Sequence, residues 1–220
     1  MTQALTRDPV RPATTVRRIY NPVQKDHATF LETSAETGGE RTLLEIDLAP
    51  GGGNTPHYHR AFSERFEVLE GELEVRVDKA IYTLEPGQSE TVPADTLHNF
   101  TNATGQRTRF LVELRPGSTG FERALQIGYG LAADGKTDAK SRPKDPLHLA
   151  VLLALGASSI PGPFALLTPV FRLLAARARR KGVEAELIRT YCRQGERARK
   201  GQDGPYYEAA RTPHPNLRNL

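Results

Sequence analysis

The chain has a single cysteine, Cys192, so no intramolecular disulfide holds it together. One thiol set late in the sequence fits a reducing compartment, and there it reads as a small buried hydrophobe. Residues 1–10 are polar and include Asp8 and Pro9, without the apolar stretch and small-residue cleavage site of a secretory leader. The expected location is cytoplasmic. Charge is missing from 146–171, a stretch long enough to cross a bilayer, with Arg177, Arg179, Arg180 and Lys181 after it as a cytoplasmic flank. Within it, however, Ser158-Ser159-Ile160-Pro161-Gly162-Pro163 leaves two pieces each shorter than a crossing. Membrane association through 146–171 is therefore the lesser reading. The basic C-terminal part lacks interleaved aromatics and any nucleic-acid module, so no nucleic-acid partner is expected.

What is present is ordinary globular material. With 220 residues, 38% hydrophobic and 25% charged, the chain has enough for one substantial core plus appendages. Residues 1–145 hold 18 Lys and Arg against 21 Asp and Glu, whereas 146–220 hold 12 against 5. The second part reads as basic, solvated helix faces.

Short strands are expected over 15–20, 28–33, 41–48, 73–77, 81–84, 89–92, 98–101 and 107–114. Turns separate them at 36–40, Glu70-Gly71, Asp78-Lys79, Glu85-Pro86-Gly87 and Ala103-Thr104-Gly105. In 41–48, Leu44, Ile46 and Leu48 alternate with Glu45 and Asp47, the pattern of a sheet with one wet face. Strands this short and regular, with no long helix between them, argue for an antiparallel sandwich or barrel. Beyond it we expect a helix over 121–133, weakened by Gly128 and Gly130, then a polar linker over 136–145. A helical hairpin over 147–157 and 164–181, a last helix over 183–193 and a mobile tail over 202–220 follow. The domains expected are a barrel over 1–120, a helical extension over 121–200 and a tail over 201–220.

The chemistry concentrates in four residues. Successive strand side chains alternate faces, so His57 and His59 point one way and Tyr58 the other. Glu64 heads a run in which Glu64, Phe66 and Val68 share a face, and His98 starts another in which His98, Phe100 and Asn102 do. Three imidazoles and one carboxylate then converge as a metal site.

These residues resemble the two motifs of the cupin superfamily. The first is carried by Gly51, His57, His59, Glu64 and Gly71, and the second by Gly87, Pro93, Asp95, His98 and Asn102. Only Asp95 departs, standing where the family usually has glycine; Asp tolerates positive φ better than bulky residues do. The resemblance covers about residues 40–116 and implies an all-β core, a double-stranded β-helix or jelly roll, with an α-helical C-terminal extension. The arrangement is similar to bacterial single-barrel cupins (the cupin 2 type of conserved barrel) with a helical C-terminal extension. Fifteen residues separate Gly71 from Gly87, so any lid must come from elsewhere.

Fold does not fix function here. Three His and one Glu suit Fe, Mn, Ni, Zn or Cu, and in an octahedral shell they leave two open positions. One reading is an enzyme acting on a small oxygen-rich metabolite, of dioxygenase or isomerase/lyase type, with Phe66, Val68 and Phe100 lining the substrate pocket. The alternative is a non-catalytic small-molecule-binding module whose basic helical tail contacts a partner or membrane. No general acid or base can be named: Tyr58, Arg65, Arg76 and Arg109 lie near in sequence, but parity sends Tyr58 and Arg65 away from the ligand face. Sheet edges and the apolar hairpin favour a homodimer.

Overall fold

Alternating apolar and polar residues curl this chain into a two-sheet roll. The computed structural model describes residues 18–159 and 166–192, and the backbone of 207–208. One antiparallel sheet has the order β12 (Tyr207–Glu208), β1 (Arg18–Asn21), β2 (Asp26–Glu32), β3 (Thr42–Leu48), β10 (Thr108–Arg115), β5 (Ser63–Glu70), β8 (Ser89–Val92). Facing it, β7 (Ala80–Leu84), β6 (Leu73–Val77) and β9 (His98–Thr101) form a smaller sheet. The segment 53–57 extends that sheet through bridges of Gly53 to Thr101 and His57 to His98. It continues into β4 (Tyr58–His59), which pairs with β11 (Ser158–Ser159).

Side chains alternate between the two faces most clearly along β5, whereas β3 buries Leu43 as well as Leu44 and β7 is exposed from Ala80 to Thr83. Along β5, Glu64, Phe66 and Val68 are buried while Arg65 and Glu67 lie on the wetter face. Leu44, Ile46, Phe66, Val68, Phe100 and Phe110 interdigitate between the sheets as one core. On the outside, Arg109 reaches Glu45 at 2.9 Å and Glu70 at 3.3 Å, and Arg107 reaches Asp47 at 2.6 Å.

Helices follow the roll: α1 (Thr119–Ala133), α2 (Pro146–Leu155), α3 (Thr168–Arg180) and α4 (Val183–Tyr191). Ser118 caps α1 by accepting from the Phe121 N–H, and Asp145 caps α2 by accepting from Leu147, with Pro146 in its first turn. The expected hairpin needs correction at its centre. Its first helix stops at Leu155, not 157, because Gly156 caps it and Ala157 turns left-handed at φ 47°. Ser158 and Ser159 then leave as a strand. The start expected at 164 for the second helix, residues 15–17 of the first strand, Arg193 and most of the tail expected over 202–220 lie outside the described residues. Among the described residues, no helix is long and apolar enough to cross a membrane. The linker expected over 136–145 is instead folded: Thr137 bridges Pro143, and Asp138 accepts from the Lys140 and Arg142 N–H groups at 2.9 Å each.

Of the glycines in α1, Gly120 and Gly130 are required by its packing, and Gly128 leaves room for the end of a leucine side chain. A Cβ at Gly120 would stand 2.4 Å from the Leu155 carbonyl oxygen and one at Gly128 3.0 Å from a Leu152 methyl. With Ala124 between them, they form a small-residue stripe on which α2 lies close. Gly130 faces α4, where a Cβ would stand 2.2 Å from the Tyr191 ring. That ring is fixed, since its hydroxyl donates to Asp134 at 2.6 Å and accepts from Lys136 at 3.0 Å. A second core of Ile127, Leu131, Val151, Ala178, Leu187 and Tyr191 results. Helix α1 therefore belongs to both cores, with Tyr129 in the first and Ile127 in the second. Cys192 packs half-buried at the edge of the second core, and desolvation pushes its thiol up to about 11.

Gly130→Ala should lower the melting temperature despite the better helix propensity of alanine, by an overpacking cost of about 1–3 kcal/mol. Gly128→Ala, which meets only the mobile end of Leu152, should be close to neutral. Thermal denaturation of both variants checks the contrast, and equal effects would contradict it.

Candidate metal centre and its cavity

Three strands and one tight turn bring the four candidate ligands together. His57 and His98 lock backbone to backbone, the His57 N–H donating to the His98 carbonyl at 3.0 Å and the reverse bond measuring 2.9 Å. His59 follows on β4. Asp95, at φ 62°, donates its N–H to the His59 carbonyl at 2.7 Å, so the Asp at the usual glycine position does adopt the left-handed turn. Glu64 enters from β5 of the facing sheet. Its carboxylate and the three imidazoles place one donor atom each within 4.8 Å of one another.

The protonation pattern of the rings is dictated by backbone. Nδ1 of His57 faces the Thr55 carbonyl at 2.9 Å, Nδ1 of His98 the Thr96 carbonyl at 2.9 Å, and Nδ1 of His59 the Gly156 carbonyl at 3.0 Å. A carbonyl oxygen only accepts, so each Nδ1 carries the hydrogen and each Nε2 is turned inward. His59 Nε2 is buried without a hydrogen-bond partner, and the nearest Glu64 oxygen is 3.8 Å away. That orphaned lone pair, and the nitrogen and carboxylate donor set, fit a divalent transition metal.

Charge follows burial. Desolvation pulls the His57 imidazole down to about 3, with His59 and His98 adding to the effect. Desolvation likewise lowers His59. For Glu64 burial acts upward, but the neighbouring His59 and His98 outweigh it and hold the carboxyl low, at about 2. For His98 burial acts downward and is overcome by the 2.7 Å hydrogen bond from Nε2 to Glu64, which raises it. Two neutral imidazoles and a carboxylate are thus ready to ligate, and one proton sits between His98 and Glu64.

His57, His59 and Glu64 open into a cavity of about 560 Å³. Phe66 and Phe100 line it as expected from parity. Val68 does not: it is two residues deeper on β5, roughly 13 Å along the strand from Glu64, and is buried within the core. Tyr58 lies under the Arg60 guanidinium at 5.7 Å and Arg65 pairs with Glu67 at 2.5 Å, both away from the ligands. Arg109 serves the outer face and Arg76 is exposed.

The extension supplies what the barrel motifs lack. The Phe121 ring meets the His59 ring edge-on at 5.5 Å, and Leu149 and Leu152 of α2 complete an apolar wall. Ser158, paired with His59 in β11, puts its hydroxyl 3.0 Å from His59 Nδ1 and donates to the Gly156 carbonyl at 3.1 Å. Phe121, Tyr129, Gly156 and Ser158 escaped sequence reasoning. The signals available were the Asp145-Pro146 cap and the Gly120, Ala124, Gly128 spacing, which together fold α2 back over the barrel.

Residues 44–113 match the cupin domain family Cupin_2. The chain is 33% identical over 100 residues to "Polyketide synthase CurC" of Streptomyces cyaneus, covering 39% of this chain and 65% of that relative. The chain thus spans just under two thirds of the relative's length. Among solved structures it is similar to TT1209 from Thermus thermophilus, at 28% identity and a TM-score of 0.40 over 44% of this chain and 88% of that one. An RmlC-like cupin from Shewanella frigidimarina shares 24% identity with a TM-score of 0.41, over 47% and 86% of the two chains. Residues 44–113 thus carry a cupin domain, which lies in the jelly-roll barrel, and a helical C-terminal region follows it.

A buried acid ties the cavity wall to the barrel. Tyr129 of α1 donates its hydroxyl to Asp26 of β2 at 2.6 Å. Burial pushes the Asp26 carboxyl up to about 7, against the lowering effect of the Tyr129 bond. The folded protein then holds a proton that the unfolded chain has released above about pH 4, so Asp26 costs stability increasingly as pH rises from about 4 to about 7. Asp26→Asn should raise the melting temperature more near pH 8 than near pH 5. Thermal scans at the two pH values check this, and an equal change at both would contradict the buried acid.

Proposed function

We propose that this protein is a metal-dependent cupin enzyme in which His57, His59, Glu64 and His98 hold one divalent transition metal (Fe, Mn, Ni, Zn or Cu) against a small oxygen-bearing substrate. The observation that carries the reading is the convergence of three imidazoles and a carboxylate, of which His57, His59 and Glu64 line an open cavity. When bound, the metal supplies Lewis-acid polarisation or, if iron, activation of oxygen. The chain's own residues do the rest. Backbone carbonyls of Thr55, Thr96 and Gly156 fix the imidazole tautomers, and the proton between His98 and Glu64 would have to leave for both groups to ligate. Phe66, Phe100 and Phe121 keep water from the substrate. Dioxygenation or an isomerase/lyase reaction fits this arrangement. The Streptomyces relative is called a polyketide synthase, and that name favours a ketone-bearing substrate.

The homodimer belongs to the same proposal, and so does the cytoplasmic location. Leu166, Val170 and Leu173 at and beside α3 are 83%, 50% and 65% exposed, apolar surface that a second copy would cover. Light scattering at micromolar concentration should give twice the chain mass, and a monomer would contradict it.

Elemental mass spectrometry should find about one transition metal per chain, lost in His57→Ala and in Glu64→Ala. Because His98 holds the competing proton, metal affinity should rise with pH through its raised pKa, with one proton released per ion by titration. Full metal retention in both variants would overturn the ligand assignment.

A further inference from the structure

The cavity extends well past the metal ligands. Segment 53–57 runs antiparallel to β9 with His57 opposite His98 and Gly53 opposite Thr101, so roughly 10 Å separates the ligand end from the level of Gly53. There the Gly53 N–H donates to the Gln24 carbonyl at 3.1 Å, and Asn21 and Gln24 form the wall. Between the two ends the lining is mainly apolar, from Ile46, Phe66, Phe100, Val112, Leu125 and Leu152. A volume of about 560 Å³ matches a drug-sized ligand rather than a two- or three-carbon acid.

The far mouth is basic, and it is built rigidly. Asp138 gathers the Lys140 and Arg142 N–H groups, and Ser141 is held left-handed at φ 60° with its hydroxyl accepting from Asn21 Nδ2 at 2.9 Å. The loop over 138–142 is thereby fastened to the barrel rim, with Lys140, Ser141 and Arg142 on the cavity wall. Arg142 is ion-paired with Asp138 at 2.7 Å, whereas the Lys140 ammonium has no side-chain partner among the described residues. Glu64 is the one carboxylate among the described lining residues, and it stands at the opposite end.

From these placements we propose that the site takes an elongated amphiphile: oxygen donors at the metal end, an apolar body, and an anionic group at the far mouth received by Lys140. This deepens the reading of the cavity as a substrate site and rests on it. Recognition of the body and anion, however, does not need the metal.

Two dyes that share one apolar body test it on the full chain: 1-anilinonaphthalene-8-sulfonate and its uncharged counterpart N-phenyl-1-naphthylamine, titrated by fluorescence. The sulfonate should bind about fivefold tighter than the neutral dye. Lys140→Gln should abolish the difference and Lys140→Arg should keep it. The double variant Leu166→Glu with Leu173→Glu should leave the sulfonate affinity unchanged, placing the dye in the cavity rather than on α3. Equal affinities for the two dyes, no binding of either, a preference that survives Lys140→Gln, or loss of binding in the α3 variant would each overturn the proposal. Metal content of the same preparations separates the two readings. A charge preference in a protein that takes up no metal contradicts the metal centre and leaves the anionic end standing, whereas bound metal without the preference contradicts the anionic end alone.

Discussion

Four donor atoms must be aimed at one point inside the barrel without collapsing onto one another, and the rest of the structure serves that constraint. Imidazoles left free would turn to satisfy whichever nitrogen found a partner first. Here a backbone carbonyl claims Nδ1 of each ring, so the three Nε2 atoms are left facing inward at no further reorganisation. Two of those carbonyls, Thr55 and Thr96, lie two residues before their own histidines and come with the local strand geometry. The third, Gly156, lies far along the chain at the end of α2, and it makes the helical extension part of the metal centre.

That dependence explains features that otherwise look unfavourable. Gly120, Gly128 and Gly130 lower the intrinsic stability of α1, yet each clears space for a neighbouring element. Without the close approach of α2, Gly156 and Ser158 would not reach His59. Tyr129 places its hydroxyl on a buried carboxyl at 2.6 Å, a costly arrangement that fixes α1 against β2. Helix packing, the pinned cavity wall and the orientation of one imidazole are linked steps of one assembly.

The barrel was legible in the sequence because its signals are local. Period-two alternation in Arg41–Leu48 and Glu64–Glu70, with turn residues between strands, reports directly on which face is buried, and ligand parity follows from the same rule. Asp95 was legible too, since its tolerance of positive φ is intrinsic to the residue. The extension was legible only as helices. Glycine in α1 counts against a helix locally, and only the facing α2 and α4 show why it is there. Ser158 and Ser159 read as a break between helices because nothing nearby in sequence announces their partner, β4, about a hundred residues earlier. Val68 shows the limit of parity from the other side: it gives the face of a strand, not the depth at which a cavity ends.

X-ray absorption at the edge of the metal bound to the intact protein tests the central claim most directly. The account predicts a shell of nitrogen and oxygen only, at ~2.0–2.2 Å, with the outer-shell scattering of three imidazoles. A sulfur neighbour, or scattering from fewer than three imidazoles, would contradict it.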